Sequence, residues 1–371
     1  MLKYLPLVKP FLLIAAKGAS ILLGLLTILS AYGGRIDPEW SGIPSSLTLA
    51  LPYFIWATLI VSALWLIFGK IFMGIGGAVI LLICWGPATV ASPLGSTKLP
   101  DDPAQTFRIM TYNMIHGIDM QNLNTDSNRT VQYILDSDCD IVCLQELRKV
   151  DATEIPSLTD AQSAALKKKY PYQLGDPALD TKLLSKYPAT FVKGATYIDG
   201  PYDTERYTFY KVNIKGHLLT VVNLHLRSFM LTAKERDVIT GINSVEDLKT
   251  SYREVKGDIS KKLKQGFTKR KKDAEILRKA LDGIRGPLIV LGDFNDVPES
   301  YAYRLIKGDD LKDAYVETNF GPLITYNEHA MWFHIDQILY RGALKALKVD
   351  KGKLKASDHY PLIAEFEFTA E

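Results

Sequence analysis

The stretch Pro287-Leu288-Ile289-Val290-Leu291-Gly292-Asp293-Phe294-Asn295 decides how the rest of the chain is read. Leu288 to Leu291 are apolar and β-favouring, the pattern of a buried strand. Gly292 lets the backbone turn tightly where the run stops. Asp293 and Asn295 then stand two residues apart at a strand end. A carboxylate accepts hydrogen bonds and can take a proton from water, whereas a carboxamide can donate to a phosphoryl oxygen without adding charge. The same residues also suit an Asx turn behind a core strand. The stretch alone leaves phosphate chemistry and a plain turn both open.

Outward from it, the chain divides in two. Its 371 residues are enough for one large domain or two smaller ones, and a net charge of +3 says little about partners. Hydrophobic residues make up 47% of the chain and are unevenly spread. Three apolar runs, at 11–31, 47–68 and 71–91, each have about the 20 residues that a membrane helix needs. They predict a membrane anchor of three transmembrane helices rather than a signal peptide, with Gly69-Lys70 closing a tight hairpin. Lys3, Lys9, Lys17 and Lys70 put the N-terminus and the hairpin tip in the cytoplasm, because positive charge stays inside. The loop Gly33–Ser46 carries Arg35, balanced by Asp37 and Glu39. Three spans that start inside finish outside, so the remainder is expected on the extracytoplasmic face. Residues 92–105, rich in Pro, Ser and Asp, predict a linker, and 106–371 a globular domain. Cys84, Cys139 and Cys143 form no disulfide framework: four residues of strand span ~13 Å, too far for a bridge.

The globular part repeats the opening pattern. Phe107–Asn113 is a strand ending in a polar residue, followed by Met114-Ile115-His116-Gly117. Ser127–Leu135 suits a helix. Asp140–Leu144 is a strand with Gln145-Glu146 at its end, and Leu183–Pro188 another strand and turn. Tyr207–Ile214 turns at Gly216 into Leu218–Val222, which runs out into Asn223-Leu224-His225-Leu226. Further strands are expected to end at His334-Ile335-Asp336 and around Ser357-Asp358-His359. Leu362–Phe368 alternates as an edge or sandwich strand would. Strands dominate, with helices between some of them, so the expected fold is α+β, a two-sheet β-sandwich flanked by helices. Any one of Asn113, Glu146, His225, Asp293, Asp336 and His359 could be a turn residue. Six strand ends bearing metal- or phosphate-suited groups fit one shared cleft better.

Taken in order, Tyr112-Asn113, Gln145-Glu146, Asn223-Leu224-His225-Leu226, Gly292-Asp293-Phe294-Asn295, Ile335-Asp336 and Ser357-Asp358-His359 resemble the endonuclease/exonuclease/phosphatase superfamily across Thr106 to Phe368. The Tyr112–Gly117 block looks most like a bacterial hydrolase subgroup, which implies the inner membrane as the site of anchoring. The resemblance implies a Mg²⁺- or Mn²⁺-dependent phosphoester hydrolase working by in-line attack of water. It implies Glu146, with Asn113 and Asp358, as ligands of the ion. Asp293 would activate the water and Asn295 would position the water or the phosphate. His359, paired with Asp336, and His225 would contact the phosphate or protonate the leaving group. Tyr112 and Gln145 would support the site. Two residues after Asn113, where abasic-site endonucleases carry a carboxylate, stands Ile115. His116 nearby is either a contributor or a hydrogen-bonded turn residue.

Between His225 and Asp293 lies a long polar segment. Asp273–Ile284 predicts an amphipathic helix with Ile276, Leu277, Ala280, Leu281 and Ile284 on one face. Lys261–Lys272 is strongly basic: either a solvated helix face or a guide for anionic lipid or polymer. Lipid head groups, nucleic acid and small phosphomonoesters such as inositol phosphates all remain open as substrates, as does an inactive, membrane-tethered binding module. The bilayer is an expected partner, and no protein partner is implied.

Overall fold

The computed structural model describes residues 5–122, 126–196, 206–232, 235–236, 245–328 and 331–370. Lys3, one of the orienting charges, and Glu371 lie outside them. The strands are β1 (Thr106–Asn113), β2 (Ile141–Gln145), β3 (Tyr172–Leu174), β4 (Lys182–Ser185), β5 (Ala189–Thr196), β6 (Arg206–Ile214), β7 (His217–His225), β8 (Leu288–Asp293), β9 (Lys312–Asp313), β10 (Tyr326–Glu328), β11 (Met331–Phe333), β12 (Asp336–Arg341), β13 (Leu344–Lys351) and β14 (Leu362–Phe368). Among the described residues they form two six-stranded sheets, in the orders β13-β14-β1-β2-β4-β3 and β5-β6-β7-β8-β12-β9, with β10-β11 as a separate hairpin. The expected two-sheet sandwich is therefore present.

Alternation along the strands builds the layers. Phe107 and Ile109 of β1 and Ile289 and Leu291 of β8 meet in the core between the sheets. Met110 and Tyr112 point the other way, against Val131 and Ile134 of the helix Arg129–Asp136. Leu288 and Val290 pack outward against Ala274, Leu277 and Leu281 of the helix Val245–Asp282. Burial on both faces explains why β8 is an unbroken apolar run. Cys139 and Cys143 are buried free thiols.

Several expectations are revised. The helix placed at Asp273–Ile284 is the last part of Val245–Asp282 and includes the basic stretch. Ile276, placed on its apolar face, is 50% exposed, and Ala274 takes the core position instead. Asp336 begins β12 rather than ending a strand, because β12 runs antiparallel to β8. Ser357-Asp358-His359 precede β14, which lies inside its sheet between β13 and β1.

The N-terminal region differs most. Its helices are α1 (Leu5–Tyr32), α2 (Gly42–Thr48), α3 (Leu51–Ile67), α4 (Ile71–Ile83) and α5 (Trp85–Ala91). Of the three expected spans, α1 alone is one continuous helix long and apolar enough to cross a membrane. The other two are bent pairs, α2 with α3 at 64° and α4 with α5 at 74°. Pro52 and Pro87 stand in the first turns after the breaks. Proline lacks the N–H and clashes with the carbonyl four residues back, so neither run continues as one helix. The 92–105 segment is no free tether. Leu94 bridges to Phe320, Lys98 N–H donates to the Leu347 carbonyl (2.8 Å), and Lys98 pairs with Glu317 (2.9 Å).

Candidate active site

Strand register gathers the polar residues at one edge. β7 runs parallel to β8 and sets His225 beside Asp293, while antiparallel β12 sets Asp336 on its other side. In the second sheet β1 and β2 are parallel with Asn113 beside Gln145, so Glu146 leaves at the same edge. β14 is antiparallel to β1, which brings the loop carrying Asp358 and His359 there too. Gly292 is required: its φ is +140°, and a Cβ would lie 1.9 Å from the Leu224 carbonyl oxygen. Glu146 and Asn295 adopt left-handed φ of 55° and 49°. Asparagine tolerates that region, but for glutamate it is uncommon, a strain that concentrates at functional sites.

Asp293 is the hub. Its Oδ1 accepts from the Asn295 N–H (2.7 Å), and its Oδ2 from Asn113 Nδ2 (3.0 Å) and Asn295 Nδ2 (3.3 Å). Two imidazoles flank it, with His359 Nε2 at 3.6 Å and His225 Nε2 at 3.7 Å. Each ring is held from behind: His359 Nδ1 by Asp336 (2.9 Å), His225 Nδ1 by Asp180 (2.9 Å). A carboxylate on Nδ1 fixes the ring and leaves Nε2 facing the cavity.

Burial favours neutral imidazoles, but the surrounding carboxylates outweigh it. Asp336, Asp293 and Asp358 hold His359 up to about 10, and Asp180, Asp293 and Glu146 hold His225 well above its ordinary 6.5. Burial raises Asp293 above the usual carboxylate range against the pull of His359, with Asp336 adding to the rise. Asp358 is raised by burial, against the pull of His359, with the charge of Glu146 adding to it.

Glu146 and Asp358 are the more open carboxylates, with side chains 30% and 16% exposed. Like charges that repel across a cavity, on oxygen donors, suit a hard divalent cation. Asn113, expected among the ligands, donates through Nδ2 to both Glu146 (3.0 Å) and Asp293, and its Oδ1 accepts from Ile115 N–H (3.3 Å). Asp293, Asp336 and His359 also bring ligand atoms within 4.8 Å of one another. In that group the Asp336–His359 hydrogen bond already engages both partners.

The remaining candidates separate. Asn295 Nδ2 also donates to the Leu226 carbonyl (2.8 Å), so its amide braces the Asp293 turn. Gln145 is buried and bridges the sheets through Asn223 Oδ1 (2.6 Å). Tyr112 is a core residue on the far face of β1, because strand alternation turns it away from Asn113. His116 pairs with Glu154 (3.1 Å) and does not line the cavity, which supports the turn reading.

Sequence reasoning missed three groups. Asp180 lies in a loop with no motif around it. Tyr326 stacks edge-on against His359 at 5.2 Å, and its hydroxyl accepts from Arg236 Nη1 (3.1 Å). Arg236 and Tyr326 both line the cavity, so a guanidinium forms part of its wall. The third is Leu49, at the break between α2 and α3, which lines the same cavity of about 190 Å³.

A two-sheet sandwich with its polar groups converging on one edge is the class that the strand-end pattern predicted. The chain belongs to the Endonuclease/Exonuclease/phosphatase family, whose profile it matches over residues 110–359. Residues 5–90 match a second profile, described as a domain of unknown function. No curated protein matches the chain by sequence. Similar solved structures include a humanized D. rerio TDP2 at 17% identity, covering 71% of this chain and 99% of that one with a TM-score of 0.47. An endonuclease/exonuclease/phosphatase from Beutenbergia cavernae is 16% identical over 72% of each chain, TM-score 0.46. Sphingomyelinase C from Streptomyces griseocarneus is 17% identical over 70% of this chain and 99% of that one, TM-score 0.42.

Proposed function

We propose that the chain is a membrane-anchored, divalent-metal-dependent phosphodiesterase. The observation that carries this reading is one buried carboxylate, Asp293, set between two imidazoles that are each braced by another carboxylate. Asp293, aligned by the Asn295 N–H, accepts a proton from water. The oxygen adds to phosphorus in line with the leaving group, and one P–O ester bond breaks. The leaving oxygen takes its proton from an imidazolium Nε2, of His359 or His225, giving an alcohol and a phosphomonoester without a covalent enzyme intermediate. Arg236 offers charge to the phosphate. Glu146 and Asp358 would hold Mg²⁺ or Mn²⁺, which when bound offsets charge developing on the phosphoryl and leaving oxygens.

Anchoring to the bacterial inner membrane, with the catalytic domain outside the cytoplasm, is part of the proposal. The apolar α1 supports it. So does the placement of both exits from the helical region. The loop after α1 docks on the domain through Asp37–Lys271 (2.6 Å), and α5 leads directly into it. Lys70 sits at the tip of the opposite hairpin.

The test uses the full-length chain with bis(p-nitrophenyl) phosphate, plasmid DNA and phospholipids, with Mg²⁺ or with excess chelator. Chelation should abolish hydrolysis, and Glu146→Ala should cost the few kcal/mol that a metal ion supplies to the transition state. Full activity in chelator would overturn the metal assignment.

A further inference from the structure

The catalytic cavity is polar on one side only. Its other side is Leu49, Phe229, Met230, Leu231, Met331 and Phe333. A site built only for a hydrated phosphoester has no use for such a wall. Two apolar grooves lead away from it, of about 370 and 510 Å³, volumes within the roughly 300–1,000 Å³ usual for small-ligand sites. Leu49 and Phe333 line the cavity and both grooves, so the three spaces share one junction. The larger groove is floored by Tyr53 and Trp332. The other follows α3 past Tyr53, Trp56, Ala57 and Ile60, successive positions on one helix face. Tyr53, Trp56 and Trp332 remain 49%, 41% and 50% exposed. Amphipathic aromatics at the domain end of an apolar helix mark the depth at which lipid head groups meet acyl chains.

We propose that these grooves receive the acyl chains of a diacyl phospholipid, whose phosphodiester reaches Asp293 through the junction at Leu49 and Phe333. The proposal rests on the phosphodiesterase reading and names its substrate class. The break before Pro52 makes the junction possible: a straight second span would carry Leu49 along the helix axis instead of presenting it to the cavity. Nucleic acid fits less well. In the basic stretch Arg270 is fully buried, while Lys262 pairs with Glu235 (2.8 Å) and Lys271 with Asp37 (2.6 Å), so these three of its cations are engaged within the protein, leaving Lys261, Lys264, Lys269 and Lys272 exposed.

The experiment takes the full-length chain in amphipol with Mg²⁺. It measures kcat/KM on bis(p-nitrophenyl) phosphate, on single-stranded and plasmid DNA, and on water-soluble phospholipids of increasing acyl length with glycerol, ethanolamine and choline head groups. If the grooves take acyl chains, kcat/KM rises by about four-fold for each methylene buried. Ala57→Trp, which fills the groove along α3, should flatten that rise and lower the lipid-to-soluble-ester ratio by about ten-fold or more. Ile60→Trp, one turn on, should repeat the effect and guards against a folding defect in the first variant. Hydrolysis of the soluble ester or DNA with no lipid activity, or with no dependence on acyl length, overturns the groove assignment and leaves the phosphodiesterase reading standing. An unchanged slope in both variants overturns it too. If no phosphodiester is cleaved, the phosphodiesterase reading falls and takes this inference with it.

Discussion

The cavity has two sides of different origin. The polar side comes from strand ends whose register fixes them, with His225, Asp293 and Asp336 side by side on three hydrogen-bonded strands. Asp293 is 1% exposed and accepts three hydrogen bonds. The apolar side is assembled from residues far apart in the chain: Leu49 from the helix break, Phe229 from the segment after β7, Met331 and Phe333 from a two-stranded hairpin. Its cross-connection from α3 includes one hydrogen bond, Tyr53 Oη to the Trp332 carbonyl (2.9 Å). Register makes the polar side rigid and suited to a fixed reaction. Packing between half-exposed side chains makes the other side easier to vary, as selection among substrates requires.

The strongest way to break the polar side is Asp293→Asn. A general base contributes typically 10²–10⁴-fold, so kcat should fall by about that factor with a smaller change in KM. The fold should survive, because a neutral amide replaces a carboxylate whose charge burial already disfavours. The amide must turn its NH2 towards N–H donors of Asn113 or Asn295 and no longer balances the two flanking imidazoliums, so calorimetry should show a lowered Tm with the cooperative transition retained. The wild-type acid limb carries a sign: Asp293 must be ionised to accept the proton, and its pKa lies above the ordinary 3.8. Activity should therefore decline on acidification earlier than for an exposed carboxylate. Near-wild-type turnover in the variant would assign the base elsewhere.

Arg270→Ala attacks the apolar side from behind. The guanidinium lies over Phe229 (4.1 Å) and Phe267 (5.1 Å) and donates to Asp296 (3.1 Å) and the Arg227 carbonyl (2.7 Å). Removing it leaves Asp296 buried without its cation and frees Phe229. Breaking a buried pair costs about 3–5 kcal/mol, so chemical denaturation should show a loss of that order. The reading of this run as a substrate guide is thereby narrowed to exposed members such as Lys269 and Lys272. A Tm equal to wild type would show that the Arg270 cluster is not a support.

What could be read from the sequence follows the same division. Asn113, Glu146, His225, Asp293 and His359 were legible because each stands beside an apolar run, and an apolar run with a polar end encodes both strand and exit point. The sandwich was legible because alternation is a local property. The breaks at Pro52 and Pro87 were encoded too, but overall hydropathy outweighed the prolines in reading those runs as straight spans. Leu49, Arg270 and the docking of residues 92–105 were not legible. Their environments are made by contacts across a large part of the chain, and a basic run looks the same whether its arginine faces water or a buried aspartate.

Asp180 belongs with the second group by legibility and with the polar side by position, so it tests whether the two coincide. It sits in the loop before β4 and braces His225 as Asp336 braces His359, at the same 2.9 Å. Among the forces that raise His225, the charge of Asp180 comes first. Asp180→Asn keeps the size and a hydrogen-bonding oxygen but removes that charge. The imidazolium of His225 then loses its proton at lower pH than in wild type. At acidic pH both proteins still carry the proton and the variant should be nearly as active. As pH rises the variant should fall away first, losing about ten-fold where wild type still holds its proton, equivalent to ~1.4 kcal/mol. Asp336→Asn should give the same displacement of the alkaline limb through His359. A loss equal at every pH would make Asp180 a packing residue. A shift of the alkaline limb would place it with the chemistry, despite a loop sequence that gives no sign of it.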